Sequence, residues 1–271
     1  MYLTRHSTPA GPRWAVDGKL LPAGVTLSTL LALPANKLPS LLTELATNDA
    51  AAGALLAPLD DQQEVWGSGV TYLRSRDARK AESETAADVY QQVYDAARPE
   101  IFFKQIGWRT VGHGQPVRIR ADTTWNVPEP ELCLVINAAG QIVGYTVGND
   151  MSSRDIEGEN PLYLPQAKTY DGSAGVGPGI RLVAADALTD LAISLEIERD
   201  GAIAFAGETS TSQMKRTFPD LAEYLVRELA FPYGALLMTG TGIVPPDEFT
   251  LQSGDIVRIT IDGMTLENSI A

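Results

Sequence analysis

Trp125-Asn-Val-Pro-Glu-Pro-Glu-Leu-Cys-Leu-Val-Ile136, then Asn137-Ala-Ala-Gly140, then Ile142-Val-Gly-Tyr-Thr-Val147, read together as one antiparallel hairpin. Two apolar runs flank a short segment that starts on Asn and ends on Gly, the composition of a tight reversal. Pro130 drives Glu129 out of the helical region, so the first run is extended and residues two apart share a face. Glu129 and Glu131 therefore point the same way. Folding the hairpin about a centre between Ala138 and Ala139 sets Glu129 opposite Gly148 and Asn149, with Asp150 beside it. Three carboxylates converging at a strand end repel one another unless a cation lies among them. Oxygen-only donors select Mg2+, Mn2+ or Ca2+ over zinc. Taken alone, the Glu-Pro-Glu motif fits a solvated acidic strand end better than a metal site.

Period-two alternation recurs outward from this hairpin. Leu191, Ile193, Leu195 and Ile197 alternate with polar neighbours before a turn at Asp200-Gly201, and Val257, Ile259 and Ile261 do the same before Gly263. Helical spacing is confined to Pro39–Ala46, Ser83–Ala97 and Pro219–Ala230, the last with Leu221, Leu225 and Leu229 four apart. Many hairpins and few helices predict a β-rich α+β fold, not a doubly wound parallel sheet. A Leu- and Ala-rich composition sets off residues 1–62 as a small N-terminal module, expected to serve packing or dimer contact. Residues 63–271 form the larger domain.

Composition narrows the partners. The 271 residues hold 21 Lys and Arg against 34 Asp and Glu, a formal net charge of −13. Such a surface repels phosphate backbones and anionic lipid, so neither nucleic acid nor membrane is an expected partner. One cysteine, Cys133, allows no intramolecular disulfide and no cysteine-cluster zinc site, which suits a reducing cytoplasm. Its apolar strand predicts a buried packing role. Met1–Arg13 has no apolar signal core, and the longest uncharged stretches, Leu20–Asn36 and Ala230–Pro246, are 17 residues each and broken by Pro and Gly. A membrane-spanning helix needs roughly 20. The two histidines, His6 and His113, leave little material for imidazole chemistry. His113, between two glycines, reads as a loop residue at a site entrance. Gly172–Gly179 lacks the Gly-Lys-Ser/Thr ending of a nucleotide cradle.

The hairpin continues into Gly148-Asn-Asp-Met-Ser-Ser-Arg-Asp155, then Pro161-Leu-Tyr-Leu-Pro-Gln-Ala-Lys168, Gly177-Pro178, Thr239-Gly-Thr-Gly242 and Gly254-Asp255. As an ordered set this string resembles the fumarylacetoacetate hydrolase family, strongly from about Trp66 to Ile180 and more thinly to the C-terminus. The first sixty or so residues carry little of it. The resemblance implies a mixed β-roll or sandwich core, a homodimer or higher homo-oligomer, and metal ligation by Glu129, Glu131 and Asp150, with Mg2+ expected and Mn2+ or Ca2+ the alternatives.

Gly69-Val-Thr-Tyr72 with Ser75 and Arg79, Arg98-Pro-Glu-Ile-Phe-Phe-Lys104, Val111-Gly-His-Gly114 and Glu159–Lys168 bring the likeness nearest to family members that dehydrate 2-keto-3-deoxy sugar acids. That likeness implies Glu100 and Lys168 as the catalytic pair, a substrate contact at Arg154, and further substrate contacts at Tyr72, Lys104 and Thr241. The substrate would be a small anionic 2-oxo acid of pentonate type, losing its C4 hydroxyl after removal of a C3 proton. Hydrolases of the family carry a base histidine in the segment matching Thr71–Arg79, and here there is none. This favours elimination over hydrolysis within the alternative reading, a hydrolase or decarboxylase of a 2,4-diketo acid, acylpyruvate or oxaloacetate, while the intact Glu129, Glu131, Asp150 and Lys168 count against a non-catalytic binding protein.

Overall fold

The computed structural model describes residues 1–82 and 87–271. In chain order its elements are β1 (Tyr2–Thr8), β2 (Gly11–Val16), β3 (Lys19–Leu20), α1 (Leu27–Leu31), α2 (Leu38–Leu45), β4 (Leu55–Leu56), β5 (Glu64–Gly69), α3 (Leu73–Glu82), α4 (Ala87–Asp95), β6 (Glu100–Ile106), β7 (Asn126–Ile136) and β8 (Ile142–Ser153). They continue with α5 (Arg154–Glu159), α6 (Leu164–Lys168), β9 (Ala174–Leu182), β10 (Ala192–Arg199), β11 (Ala202–Ser210), α7 (Phe218–Val226), β12 (Ala235–Met238), β13 (Ile256–Ile261) and β14 (Met264–Ser269). The strands make a ten-stranded sheet in the order β3-β2-β1-β9-β8-β7-β12-β5-β6, with β4 on β1, and a four-stranded sheet in the order β11-β10-β13-β14. The β-rich α+β reading holds.

The central hairpin of β7 and β8 is buried from end to end. Both faces are covered, which explains its long apolar runs. Leu132, Leu134 and Ile136 face the four-stranded sheet and α7, while Cys133 and Val135 face the leucines of α1 and α2. Cys133 is a free, buried packing residue, as expected. In β13 and β14, covered on one side, buried and partly exposed residues alternate strictly over most of their length.

The pairing register differs from the sequence reading. Glu129 lies opposite Asp150 itself, and Glu131 opposite Gly148. Two local features cause the shift. Asn137 closes a five-residue loop, its N–H donating to the Gln141 carbonyl at 2.9 Å and its Oδ1 accepting from the Gln141 N–H at 2.8 Å. A β-bulge between Val135 and Ile136 then adds one more residue of offset.

The helices also depart from expectation at their ends. Of the expected Ser83–Ala97 helix, 83–86 lie outside the described residues, and α4 covers the remainder as far as Asp95, leaving Ala96 and Ala97 beyond its end. Thr217 caps α7 by accepting the Asp220 N–H, and Leu221 and Leu225 are buried; the helix stops at Val226, leaving Leu229 beyond it and exposed. Helix α3, rich in Arg and Lys, carries no apolar period strong enough to be read. Residues 1–62 contribute β1, β2, β3 and β4 to the large sheet, β1 pairing β9 through Leu3 and Ile180. No helix among the described residues is long and apolar enough to cross a membrane.

Candidate active site

Because opposed residues of an antiparallel pair share a face, the observed register brings Glu129, Glu131 and Asp150 together. Each offers an oxygen within 4.8 Å of the others, and all three are buried. Four buried cations surround them. Arg79 from α3 meets Glu129 Oε1 at 2.5 Å, and Arg154 at the start of α5 meets the same oxygen at 2.8 Å. Lys168, closing α6, donates to Glu129 Oε2 at 2.6 Å and Ser152 Oγ at 2.6 Å, and reaches Asp150 at 3.4 Å. Lys104 of β6 sits 2.6 Å from Asp150 Oδ1 and also donates to the carbonyls of Met151 and Lys168. Glu157 joins Arg79 at 3.0 Å and Arg154 at 3.3 Å.

Glu131 is the exception. Among the described residues no cationic side chain pairs with it, and its partner is the Gly240 N–H, at 2.5 Å from Oε2. Gly240 has φ +89°, and a Cβ there would lie 2.0 Å from Thr71 Oγ1, so the Thr-Gly-Thr-Gly turn needs glycine to bring its amide to Glu131. Burial and the neighbouring Asp150 and Glu129 carboxylates push the Glu131 pKa well above the usual range. An oxygen-only cluster with one uncompensated buried carboxylate fits a hard divalent cation, with Glu129, Glu131 and Asp150 as the residues to hold it.

A small cavity of about 20 Å³ opens beside this cluster, lined among others by Arg79, Glu100, Phe102, Glu129, Lys168 and Thr241. Glu100 begins β6. Burial, then Glu157, pushes its carboxyl up to about 7 despite the nearby Arg79 and Lys168. Burial alone would depress the Lys168 ammonium, but Asp150, Glu129 and Glu157 more than offset this and hold its pKa above the ordinary lysine value. Lys104 shifts the other way, burial outweighing the attraction of Asp150.

The residues singled out in the sequence divide into two groups. Glu100, Lys168, Glu129 and Thr241 line the cavity, whereas Arg154, Lys104 and Tyr72, like Glu131 and Asp150, do not. The first two of these are committed to the carboxylates, and Tyr72 is buried with its hydroxyl unpartnered among the described residues. The Thr241 hydroxyl is itself engaged with the Ile243 backbone. His113 is not at the entrance: its Nδ1 accepts the Glu267 N–H at 3.1 Å and ties its loop to β14. Arg79 and Glu157 were given no role in the sequence, although Arg154 and Glu157, three apart, carried the signal of a helical ion pair.

Comparison with known proteins agrees with this geometry. Residues 64–271 match the family described as Fumarylacetoacetate (FAA) hydrolase C-terminal. A probable 2-keto-3-deoxyxylonate dehydratase of Haloferax volcanii is 50% identical over 214 residues, covering 78% of this chain and 73% of that protein. A 2-dehydro-3-deoxy-D-arabinonate dehydratase of Saccharolobus solfataricus is 43% identical over 232 residues, covering 83% and 76%. A solved structure of 2-keto-3-deoxy-D-arabinonate dehydratase complexed with magnesium and 2,5-dioxopentanoate superposes with a TM-score of 0.83 at 34% identity, covering 100% of this chain and 98% of the other. The chain belongs to the fumarylacetoacetate hydrolase family.

Proposed function

We propose that this protein is a Mg2+-dependent dehydratase of a 2-keto-3-deoxy sugar acid of pentonate type. The observation that carries the reading is the pairing of one uncompensated buried carboxylate, Glu131, with a cavity whose wall holds Glu100 near neutrality. Identities of 50% and 43% to sugar-acid dehydratases support it. A divalent ion held by Glu129, Glu131 and Asp150 supplies a Lewis acid to the carboxylate and C2 carbonyl of a 2-oxo acid, which acidifies the C3 hydrogen.

The remaining work falls to side chains of this chain. Glu100, brought to about 7, takes the C3 proton as a base and returns it to the departing C4 hydroxyl as an acid, which needs a pKa close to the working pH. Lys168, held protonated, stabilises developing negative charge electrostatically instead of giving up its proton. Arg154 and Lys104 fix the carboxylates from behind, and Arg79 holds Glu129 from the cavity wall. Neither histidine lines the cavity: His113 holds the β14 backbone and His6 contacts Thr4 and the Gly53 carbonyl. Water activation by imidazole, which a hydrolase would use, has no group to perform it here. The same proposal includes residence in the cytoplasm, a homodimer or higher homo-oligomer, and residues 1–62 as a module beside a catalytic domain over 63–271.

Incubating the protein and Mg2+ with 2-keto-3-deoxypentonates, acylpyruvates and oxaloacetate tests the reading. Release of 2,5-dioxopentanoate from a pentonate is expected. Release of pyruvate with a second acid, or of carbon dioxide, would replace it.

A further inference from the structure

We infer that Thr71 is a positioning residue for the metal cluster: its hydroxyl fixes the Thr239–Gly240 peptide, and that peptide fixes Glu131. The inference rests on the reading above, since it takes Glu131 as one of the residues that hold the divalent ion.

The observation is a relay of two hydrogen bonds through a single peptide unit. Thr71 is fully buried and donates its hydroxyl to the Thr239 carbonyl at 2.7 Å. The N–H at the other end of that same peptide, on Gly240, donates to Glu131 Oε2 at 2.5 Å. The carbonyl and amide of one peptide are conjugated and held in a plane. A donor on the oxygen therefore sets the tilt of the whole unit and strengthens the hydrogen bond that its N–H makes. Glu131 has no cationic partner among the described residues, so the aim of this one amide governs where its carboxylate oxygens stand.

Both ends of the relay are anchored. Thr239 is tied to β7, its N–H and its hydroxyl donating to the Leu132 carbonyl at 3.0 and 2.9 Å, one residue from Glu131. On the other side, the Thr71 carbonyl accepts the Lys215 N–H at 2.9 Å. Val70, just before it, has φ +55°. A β-branched residue takes this left-handed conformation only where its surroundings impose it, and such strain gathers where one geometry must be held. The strained turn follows β5 directly, β5 runs parallel to β12, and Thr71 thereby meets the residues that follow β12.

Satisfying the buried Thr239 carbonyl would by itself bear only on stability. Positioning Glu131 bears on metal affinity as well, and that difference is what the test reads. Mg2+ is titrated into the full chain by calorimetry, without substrate, and melting of the metal-free protein identifies the folded variants. Thr71→Val keeps the shape and removes the hydroxyl. Thr71→Ala does the same with a smaller side chain and stands in should the valine variant not fold. Either should raise the Mg2+ Kd about 10- to 100-fold, the usual effect of removing a group that orients a metal ligand. Thr71→Ser keeps the donor and should restore parental affinity. In a Glu131→Gln background, adding Thr71→Val should weaken Mg2+ binding no further, because the group it positions is gone.

Parental Mg2+ affinity in the folded valine or alanine variant, with Glu131→Gln impaired, overturns the inference and leaves Glu131 as a ligand. An equal loss in Thr71→Ser, or additive losses in the double variant, also overturns it, because the effect then does not run from the hydroxyl to Glu131. Parental affinity in Glu131→Gln itself overturns the metal assignment on which the inference rests.

Discussion

Gly69→Ala isolates the placement of Glu100. Gly69 pairs directly with Glu100 across β5 and β6, and the Glu100 carboxyl lies over the space where a side chain would stand. A Cβ there would be 1.9 Å from Glu100 Oε2 and 2.6 Å from its Cδ. Ordinary contact begins near 3.4 Å, so the oxygen must retreat by about 1.5 Å. Misplacing a reacting group by about 1 Å costs on the order of 100-fold, so kcat on a 2-keto-3-deoxypentonate should fall about 100-fold. Gly69 is not in the left-handed region, and what must move is the end of a flexible side chain, so the thermal midpoint should stay near the parent's. Mg2+ affinity by calorimetry should also hold, because the carboxylate cluster stands on β7 and β8. The decisive comparison is a cycle with Glu100→Gln: once the acid is gone, adding Gly69→Ala should cost almost nothing more. Additive losses in that cycle, or an equal loss of Mg2+ affinity, would refute the assignment of Gly69's effect to Glu100.

Three other outcomes follow from the same geometry. Glu131→Gln keeps the shape but removes the uncompensated charge, so calorimetric Mg2+ affinity should drop at least about 100-fold, with activity lost in parallel; full-affinity binding would remove Glu131 from the cluster. With Glu100 in the proposed role of base and its carboxyl pushed up to about 7, kcat/KM should fall about tenfold per unit as pH drops below that value and level off above it, whereas Glu100→Gln should run about 100- to 10,000-fold slower with that limb gone. Lys168→Met removes a buried cation from Glu129 and Asp150, which should cost about 3–5 kcal/mol in chemical denaturation without Mg2+, and part of that loss should return when Mg2+ is added.

Much of this site was legible because it is built on strands. Period two put Glu129 and Glu131 on one face, and the hairpin brought Asp150 near them; only the register was off, since a bulge at Val135 and an Asn137-closed loop leave no trace in apolar alternation. The helical half of the site was harder. Arg79 rides on α3, whose Arg- and Lys-rich surface looks like a solvated helix until the ion pair with Glu129 is seen. Lys104 lies within an apolar strand run, where neither spacing nor composition separates a substrate contact from a buried counter-charge to Asp150. The left-handed geometry of Gly240 was equally silent, because Thr-Gly-Thr-Gly fits many turns and only the meeting with Thr71 and Glu131 shows what the glycine permits.

The balance of charge within the site bears on the choice between elimination and hydrolysis. Glu129, Glu131, Asp150 and Glu157 bring four negative charges, and Arg79, Lys104, Arg154 and Lys168 bring four positive ones, all of them buried. Buried ion pairs rarely stabilise a fold beyond what apolar packing would achieve, so a cluster this dense points to function before stability. Taken as fully ionised the cluster is neutral, and a divalent cation then leaves an excess of two positive charges inside a protein whose net charge is −13. That local reversal of sign is what an anionic 2-oxo acid needs in order to enter. Once it is bound, the cations are occupied, Lys168 is held charged, and Glu100 is the group of the cavity wall brought near neutrality. One such group can take a proton from C3 and return it to a leaving hydroxyl in a single cycle. Hydrolysis would ask the same carboxyl to activate a water as well, with no imidazole in the wall to share the work.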